Sequence, residues 1–186
     1  MKINVKNMVC NRCIAAVQNI FDDLRIPLTH IELGEIETRD SLTKDDLRNL
    51  DERLKKTGFE LLEDAAKTQI EKTKNLIILK INDLDIPEDF ILSKFIADHF
   101  RKDYSALSKV FSMNENVTLE QYFILQKIEK AKELLLYNEF SLTEISQKLG
   151  YRSVQHLSAQ FKNTTGFTPT SFKNLKSKNR TALDQI

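Results

Sequence analysis

Two cysteines, Cys10 and Cys13, stand in the stretch "MVCNRC" in an M-x-C-x-x-C pattern with Met8, and the chain has no other cysteine. Two thiols at this spacing can hold a soft ion such as Cu(I) as thiolates, cycle as a redox pair, or pack as small apolar groups. A closed zinc site is not expected, since it normally needs four ligands and His30 should lie at the opposite edge of the fold. The three histidines, His30, His99 and His156, are dispersed and pair with no nucleophile, and no Gly-rich phosphate loop is present. No catalytic constellation follows, so the chain is not expected to be an enzyme. A second chemistry lies in the C-terminal half. There Gln, Lys, Arg, His and Ser side chains recur on one side of short amphipathic helices, a set rich in hydrogen-bond donors.

The elements that must position the cysteines are legible around them. "KINVKN" alternates and places Ile3 and Val5 on one face of a strand. "CIAAVQNIFDDL" places Ile14, Val17, Phe21 and Leu24 at helical spacing, and Pro27 is expected to close that helix. "LTHIELGEIET" reads as two strands with Gly34 at the hairpin. "SLTKDDLRNLDERLKKTGF" is a helix with Leu47, Leu50 and Leu54 inward, capped by Thr43 with Asp46 and stopped at Gly58. "FELLED" is a last strand. The order β-α-β-β-α-β is that of a ferredoxin-like sandwich, an α+β fold. It brings the cysteine loop to face "LKKTGF". Cys13 then sits near a helix N-terminus with Lys55 or Lys56 close by, and both effects are expected to lower the thiol pKa.

On these residues, positions 1–64 resemble a heavy-metal-associated domain. The resemblance rests on M-x-C-x-x-C between the first strand and first helix, and on "KKTGF" before the last strand. It implies Cys10 and Cys13 as metal ligands, Met8 turned into the core, and Lys55 and Lys56 offsetting the negative charge of a dithiolate site. The loop departs from the family pattern, carrying Val9, Asn11 and Arg12 where small residues are usual. A retained fold with no metal is the alternative.

The C-terminal half contains a repeat. In "SLTEISQKLGYRSVQHLSAQFKNTTGFTPTSF", Ser141 and Glu144 form a capping box, Leu142, Ile145 and Leu149 make an apolar face, and Gly150 ends the helix. Ser153 caps a second helix that buries Leu157 and Phe161 and ends at Gly166. Thr168 caps a third helix with Pro169 at its first position. Two helices at a short Gly-containing turn form a helix-turn-helix pattern, and the small Ser146 lets the second cross closely. Leu107, Ser108, Phe111, Thr118 and Tyr122 match Leu157, Ser158, Phe161, Thr168 and Phe172 at a constant offset of 50. Ile96 and Ala97 take the parts of Ile145 and Ser146. Asn116 takes the place of Gly166 and is expected to adopt a left-handed backbone there. Between the units, residues 118–137 read as one helix of roughly 30 Å, close to the ~34 Å between successive major-groove faces.

This half resembles the AraC family DNA-binding domain over about Leu76 to Lys176, through "IEKAKELL", "EISQKLGY", "HLSAQFKNTTG" and "FTPTSF". Arg101 stands at the usual turn glycine of the first unit. The resemblance implies an all-α domain with two helix-turn-helix units and double-stranded DNA as partner. With Leu157 and Phe161 inward, Gln155, Ala159 and Lys162 point outward, flanked by Arg152, His156 and Ser158. In the first unit Ser105, Ser108 and Lys109 take the outward side. For each single residue a solvated side chain is the alternative.

The division that results is 1–64, a connector 65–75, a DNA-binding domain 76–176 and a basic polar tail 177–186. The connector, "AAKTQIEKTKN", reads as polar helix without Gly or Pro. Net charge is +1, but residues 1–64 carry 10 Lys+Arg against 13 Asp+Glu, and residues 141–186 carry 7 against 2. The basic end suits a polyanion. No apolar run is long enough for a membrane span, and the N-terminus lacks the apolar core of a secretory signal. The cytoplasm is the expected compartment, where a Cys10–Cys13 disulfide would be reduced. Three functions remain: a transcription regulator sensing a soft metal such as Cu(I); a regulator whose N-terminal domain dimerises, with a second copy as partner, or binds something else; and a metallochaperone or thiol-redox protein. The doubled helix-turn-helix counts against the third. Metal content after reducing purification separates the first two.

Overall fold

The computed structural model describes residues 1–175, 180, 181 and 183–185. The chain divides into two compact units, Met1–Asn75 and Leu76–Ile186. Among the described residues no helix is long and apolar enough to cross a membrane.

The first unit runs β1 (Lys2–Lys6), α1 (Asn11–Asp23), β2 (Leu28–Glu32), β3 (Glu35–Thr38), α2 (Lys44–Lys56) and β4 (Glu60–Leu62), then enters α3 (Ala65–Asn82). The strands form one sheet in the order β2-β3-β1-β4, every neighbouring pair antiparallel. Alternation on β1 sends Ile3 and Val5 to one side, where they join Val17 and Phe21 of α1, Leu50 and Leu54 of α2, Ile36 of β3 and Met8 in a single buried core. Met8 is fully buried, which matches its expected inward placement. The Thr43–Asp46 capping box forms on α2. One boundary differs from the sequence expectation. Helix α1 ends at Asp23, before Pro27 is reached, because Arg25 adopts a left-handed backbone (φ 56°) and the Ile26 N–H turns back to the Phe21 carbonyl. Pro27 instead lies in the extended entry to β2.

The second unit begins within α3, which is continuous from Ala65 through Asn82. It continues with α4 (Leu92–Phe100), α5 (Tyr104–Asn114), α6 (Leu119–Tyr137), α7 (Leu142–Lys148), α8 (Val154–Thr165) and α9 (Pro169–Lys173). The helix starts are set by side-chain caps. Asp103, Thr118, Ser141, Ser153 and Thr168 each accept a backbone N–H two or three residues into the following helix. The stops of the two repeats differ. Gly166 ends α8 with φ 79°, whereas α5 ends on Glu115 in an extended conformation. Asn116 therefore does not take the left-handed conformation expected of it; extending the chain at Glu115 already terminates the helix. Of the polar tail, residues 176–179, 182 and 186 lie outside the described residues. Arg180 donates to Glu133 at 3.0 Å, the Thr181 N–H donates to Glu129, and Leu183–Gln185 form a single 3-10 turn.

The repeat is carried by matched aromatic pairs. Phe111 meets Tyr122 at 5.5 Å between ring centroids and 61° between planes; Phe161 meets Phe172 at 5.5 Å and 68°. All four rings are buried. Edge-to-face contact of this kind adds about 0.5–1.5 kcal/mol beyond area burial. Phe161→Ala is expected to lower the stability of the second unit by roughly 3–5 kcal/mol. Urea unfolding followed by circular dichroism measures it, and an unchanged midpoint would show that Phe161 does not anchor α8.

Candidate nucleic-acid interface and the thiol pair

The turn between α7 and α8 is held from two sides. Gly150 has φ 67°, and a Cβ there would lie 2.6 Å from Ile86 Cγ2 and 3.0 Å from the Ile86 and Pro87 carbonyl oxygens. Residues before α4 therefore pack directly on the turn, and the Ile86 N–H donates to the Lys148 carbonyl at 3.1 Å. No residue with a side chain fits without displacing that segment. From the other side comes Lys127 of α6, whose Nζ donates to the Leu149 carbonyl at 3.1 Å, the last residue of the turn of α7. The same ammonium lies 3.9 Å from the centroid of the Tyr151 ring and 5.0 Å from that of Phe123. Ring faces and a helix-end carbonyl are the partners a desolvated cation prefers. Burial nonetheless pulls its pKa down to about 8. Burial pushes the Tyr151 phenol up. Ser146, buried on α7, satisfies its hydroxyl on the Thr143 carbonyl.

With Leu157 and Phe161 buried, helix α8 leaves Gln155, His156, Ala159 and Lys162 exposed, with Ser158 half-buried between them. Arg152 in the turn is exposed and 3.9 Å from Glu88, too long for a firm pair. The His156 N–H donates to Ser153, and its ring stands edge-on to Tyr151 at 5.3 Å. Gln155, His156, Ala159 and Lys162 thus lie on the side of α8 away from Leu157 and Phe161, with Arg152 in the turn before the helix. Residues 145–183 contain no Asp or Glu and seven Lys or Arg, so the acid on this face, Glu88 beside Arg152, comes from outside that segment.

Helix α5 is decorated differently. Lys109 and Ser105 are exposed and Ser108 is half-buried. The Ser105 hydroxyl is bonded to the capping carboxylate of Asp103. The Tyr104 hydroxyl donates to Glu120. Tyr104 holds the Glu120 carboxyl below its usual range, and Ser105 does the same for Asp103, so both stay anionic. In the turn before α5, Arg101 takes the left-handed backbone (φ 51°) that a glycine would adopt without strain.

In the first unit Cys10 is the N-cap of α1 and Cys13 lies in its first turn, with the Cys13 N–H bonded to the Cys10 carbonyl at 2.9 Å. The sulfurs are 3.5 Å apart, both thiols are free, and both are half-buried. The loop before them faces the "KKTGF" turn as expected, since the Asn7 side-chain amide donates to the Gly58 carbonyl at 2.8 Å. The expected lowering of the thiol pKa is not what the structure has. Burial raises Cys13 and outweighs the backbone groups of Val9 and Cys10 that would lower it. Lys55 directs its charge to Asp51 at 2.5 Å rather than to the thiols, and Lys56 is exposed. Among the described residues no three His, Cys, Asp or Glu side chains converge as a metal-ligand group.

Sequence periodicity alone does not single out Lys127, Tyr104, Asp103 or Glu120. Lys127 carried a signal, however. It stands four residues before the buried Ala131 and in line with Leu134, inside the apolar stripe of α6, where a lysine needs a partner.

Residues 96–174 match a family model described as a helix-turn-helix domain. The chain is 33% identical over 78 residues to the xylose operon regulatory protein of Haemophilus influenzae, covering 42% of this chain and 20% of that protein. It is 35% identical over 69 residues to an uncharacterised HTH-type transcriptional regulator of Pseudoalteromonas carrageenovora, covering 37% of this chain and 40% of the other. The chain thus spans about a fifth of the length of the xylose regulators it matches. The C-terminal domain of AraT, a response regulator from Geobacillus stearothermophilus, superposes with a TM-score of 0.52 at 18% identity, covering 64% of this chain and 92% of that domain. At that identity the likeness is one of fold.

Lys127 gives the second unit a pH dependence with a defined sign. Its folded pKa of about 8 lies below the ordinary 10.5, so between these values the unfolded chain binds more protons and stability rises with pH. From pH 8 to 9.5 this group is expected to add roughly 1.5 kcal/mol, a rise absent from Lys127→Met. Thermal melts of both proteins across that range test it; parallel curves would show that Lys127 titrates normally.

Proposed function

We propose that this chain, whose C-terminal half is an AraC-type helix-turn-helix domain, is a sequence-specific DNA-binding transcription regulator. The observation that carries the reading is the α7–α8 unit. Its turn is clamped by Ile86 and Lys127, its second helix presents Gln155, His156, Ala159 and Lys162 outward, and the surrounding sequence is free of acid. Helix α8 enters the major groove, Gln155 pairs with an adenine edge, Ala159 touches a thymine methyl, and Lys162 and Arg152 take phosphate or guanine. Double-stranded DNA is the partner. Duplex affinity is expected to fall steeply with salt as counterions are released. Lys162→Ala should weaken binding to most sequences alike, and Gln155→Ala should cost about 1–3 kcal/mol of discrimination at one base position. Fluorescence anisotropy against a duplex set reads both; no preferred sequence at any salt concentration overturns the regulator reading.

A finer reading concerns the first unit. We infer that it is a ferredoxin-like, heavy-metal-associated module that binds a soft ion such as Cu(I) through Cys10 and Cys13. Its support is the βαββαβ order, the sheet order β2-β3-β1-β4 and two free thiols 3.5 Å apart at the start of α1. Two sulfur donors without a third ligand suit an ion content with two-fold coordination. Such an ion, once bound, would fix residues 10–13 and supply charge to the loop. The raised Cys13 pKa means that binding displaces protons, so affinity is expected to weaken as pH falls through 8 and 7. Competition with a Cu(I) chelator measures it, and Cys10→Ser should abolish the tight component while Met8→Leu leaves it. Equal loss in both variants, or none bound by the native protein, would remove the metal from the reading.

A further inference from the structure

The two helix-turn-helix units share an apolar skeleton and differ in the polar groups that a duplex would meet. At the offset of 50 the capping residue is Asp103 in the first unit and Ser153 in the second. Ser105 stands where α8 has Gln155, and Ser112 where it has Lys162. The Tyr104–Glu120 pair replaces Val154 and Thr170. Each difference acts in the same direction. A carboxylate at the N-terminus of α5 cancels the positive end of that helix, which would otherwise favour a phosphate. Glu120, held ionised beside the same turn, adds a second negative charge. One of the outward hydroxyls, Ser105, is already committed to Asp103, and Ser108 is half-buried. Lys109 is left as the long cationic side chain on the outward side of α5. The segment that carries α8 has no acid from residue 145 to residue 183, and the carboxylate near its turn, Glu88, faces Arg152 and is not its cap.

We propose that the two units divide unequally: α8 reads the bases, and α5 contacts the duplex weakly and without discrimination. The recognised sequence is then one short block under α8, in place of two equal blocks about one helical turn apart. This rests on the DNA-binding reading above and deepens it by assigning the specificity to one helix. Asp103 and Glu120 act as negative determinants that hold down the contribution of α5.

The test uses the full chain and a randomised duplex library, followed by single-base substitution of the selected sequence. One block of discriminating positions is expected. Ser105→Ala and Ser108→Ala should leave every position unchanged. Asp103→Asn, which keeps the cap, and Glu120→Gln, which keeps the bond to Tyr104, should each raise affinity for duplexes of any sequence, by about fivefold at low salt for a charge near a phosphate. Two blocks of similar discrimination about ten base pairs apart, or unchanged affinity in both charge variants, overturn the inference while leaving sequence-specific binding intact. A library that yields no preferred sequence overturns the regulator reading itself, and this inference with it.

Discussion

The edge-to-face ring pair in each helix-turn-helix unit is the contact on which the rest of the second unit depends. Phe161 on α8 meets Phe172 on α9, and Phe111 on α5 meets Tyr122 on α6. Each pair locks the rotation of the second helix of its unit, α5 or α8, against the helix that follows. Once that rotation is fixed, helical geometry leaves no freedom about what faces out. Gln155, Ala159 and Lys162 are outward because Leu157 and Phe161 are inward. The pair also explains why the capping residues Thr118 and Thr168 recur at the same offset. The chain must turn within a few residues of the first ring to bring the second one back onto it.

Fixing a helix's rotation does not fix the turn before it, and here the second unit uses polar chemistry inside its core. Lys127 is buried among Tyr151, Phe123 and the end of α7, with one hydrogen bond to the Leu149 carbonyl. A cation in such a place costs desolvation energy that an apolar side chain would not. What it secures is direction: the helix-end carbonyl has a donor, and the aromatic faces accept a charge that they would not attract in a neutral group. Gly150 completes the arrangement from the opposite side by letting the Ile86 backbone approach. In the first unit of the chain a similar role falls to side-chain amides. Asn7 bridges the cysteine loop to Gly58, its N–H donates to the buried Glu71, and Asn75 donates to the Leu33 carbonyl beside Gly34. A Cβ on Gly34 would lie 2.6 Å from that amide nitrogen. The loop that carries the thiols is thus tied to the first half of α3 by backbone and side-chain hydrogen bonds.

Element identity was legible in the sequence wherever a local rule had a local cause. The capping boxes at Thr43 and Ser141 both form, since cap and partner are three residues apart and need no tertiary context. The strand alternation at Ile3 and Val5 and the helical spacing of Leu50 and Leu54 survive for the same reason. The misses have tertiary causes. Arg25 and Glu115 end their helices through backbone turns that compete with the obvious punctuation at Pro27 and Asn116. The Cys13 thiol is expected from its helix and nearby lysines to ionise easily, but burial, which is set by the packing of α1, raises it instead. Lys55 was close in sequence to the expected position and is spent on Asp51 instead. On α5 periodicity places Ser105 and Ser108 away from Leu107 and Phe111; it has no means of showing that Ser108 is half-buried or that the Ser105 hydroxyl is already bonded to Asp103.

The repeat shows which parts of a duplicated unit are free to diverge. Leu107 and Leu157, Phe111 and Phe161, and Tyr122 and Phe172 are buried, and a change in any one would cost cavity or packing energy. The caps are under a looser constraint. Asp and Ser are close to equal in satisfying the first free N–H of a helix, so exchanging one for the other changes stability little. Asp103 and Ser153 both accept the N–H three residues ahead and start their helices equally well. They are far from equal to an approaching phosphate, which meets a full negative charge at one helix and a neutral hydroxyl at the other. A substitution nearly silent in folding is therefore a large change in the field at the exposed helix start. The same holds for Tyr104 with Glu120, whose hydrogen bond keeps the carboxylate in place while the packing beneath it, on Leu107 and Phe111, stays as it is in the second unit. Burial fixes the skeleton, and the electrostatics of the exposed caps and turns decide how each copy of it meets a polyanion.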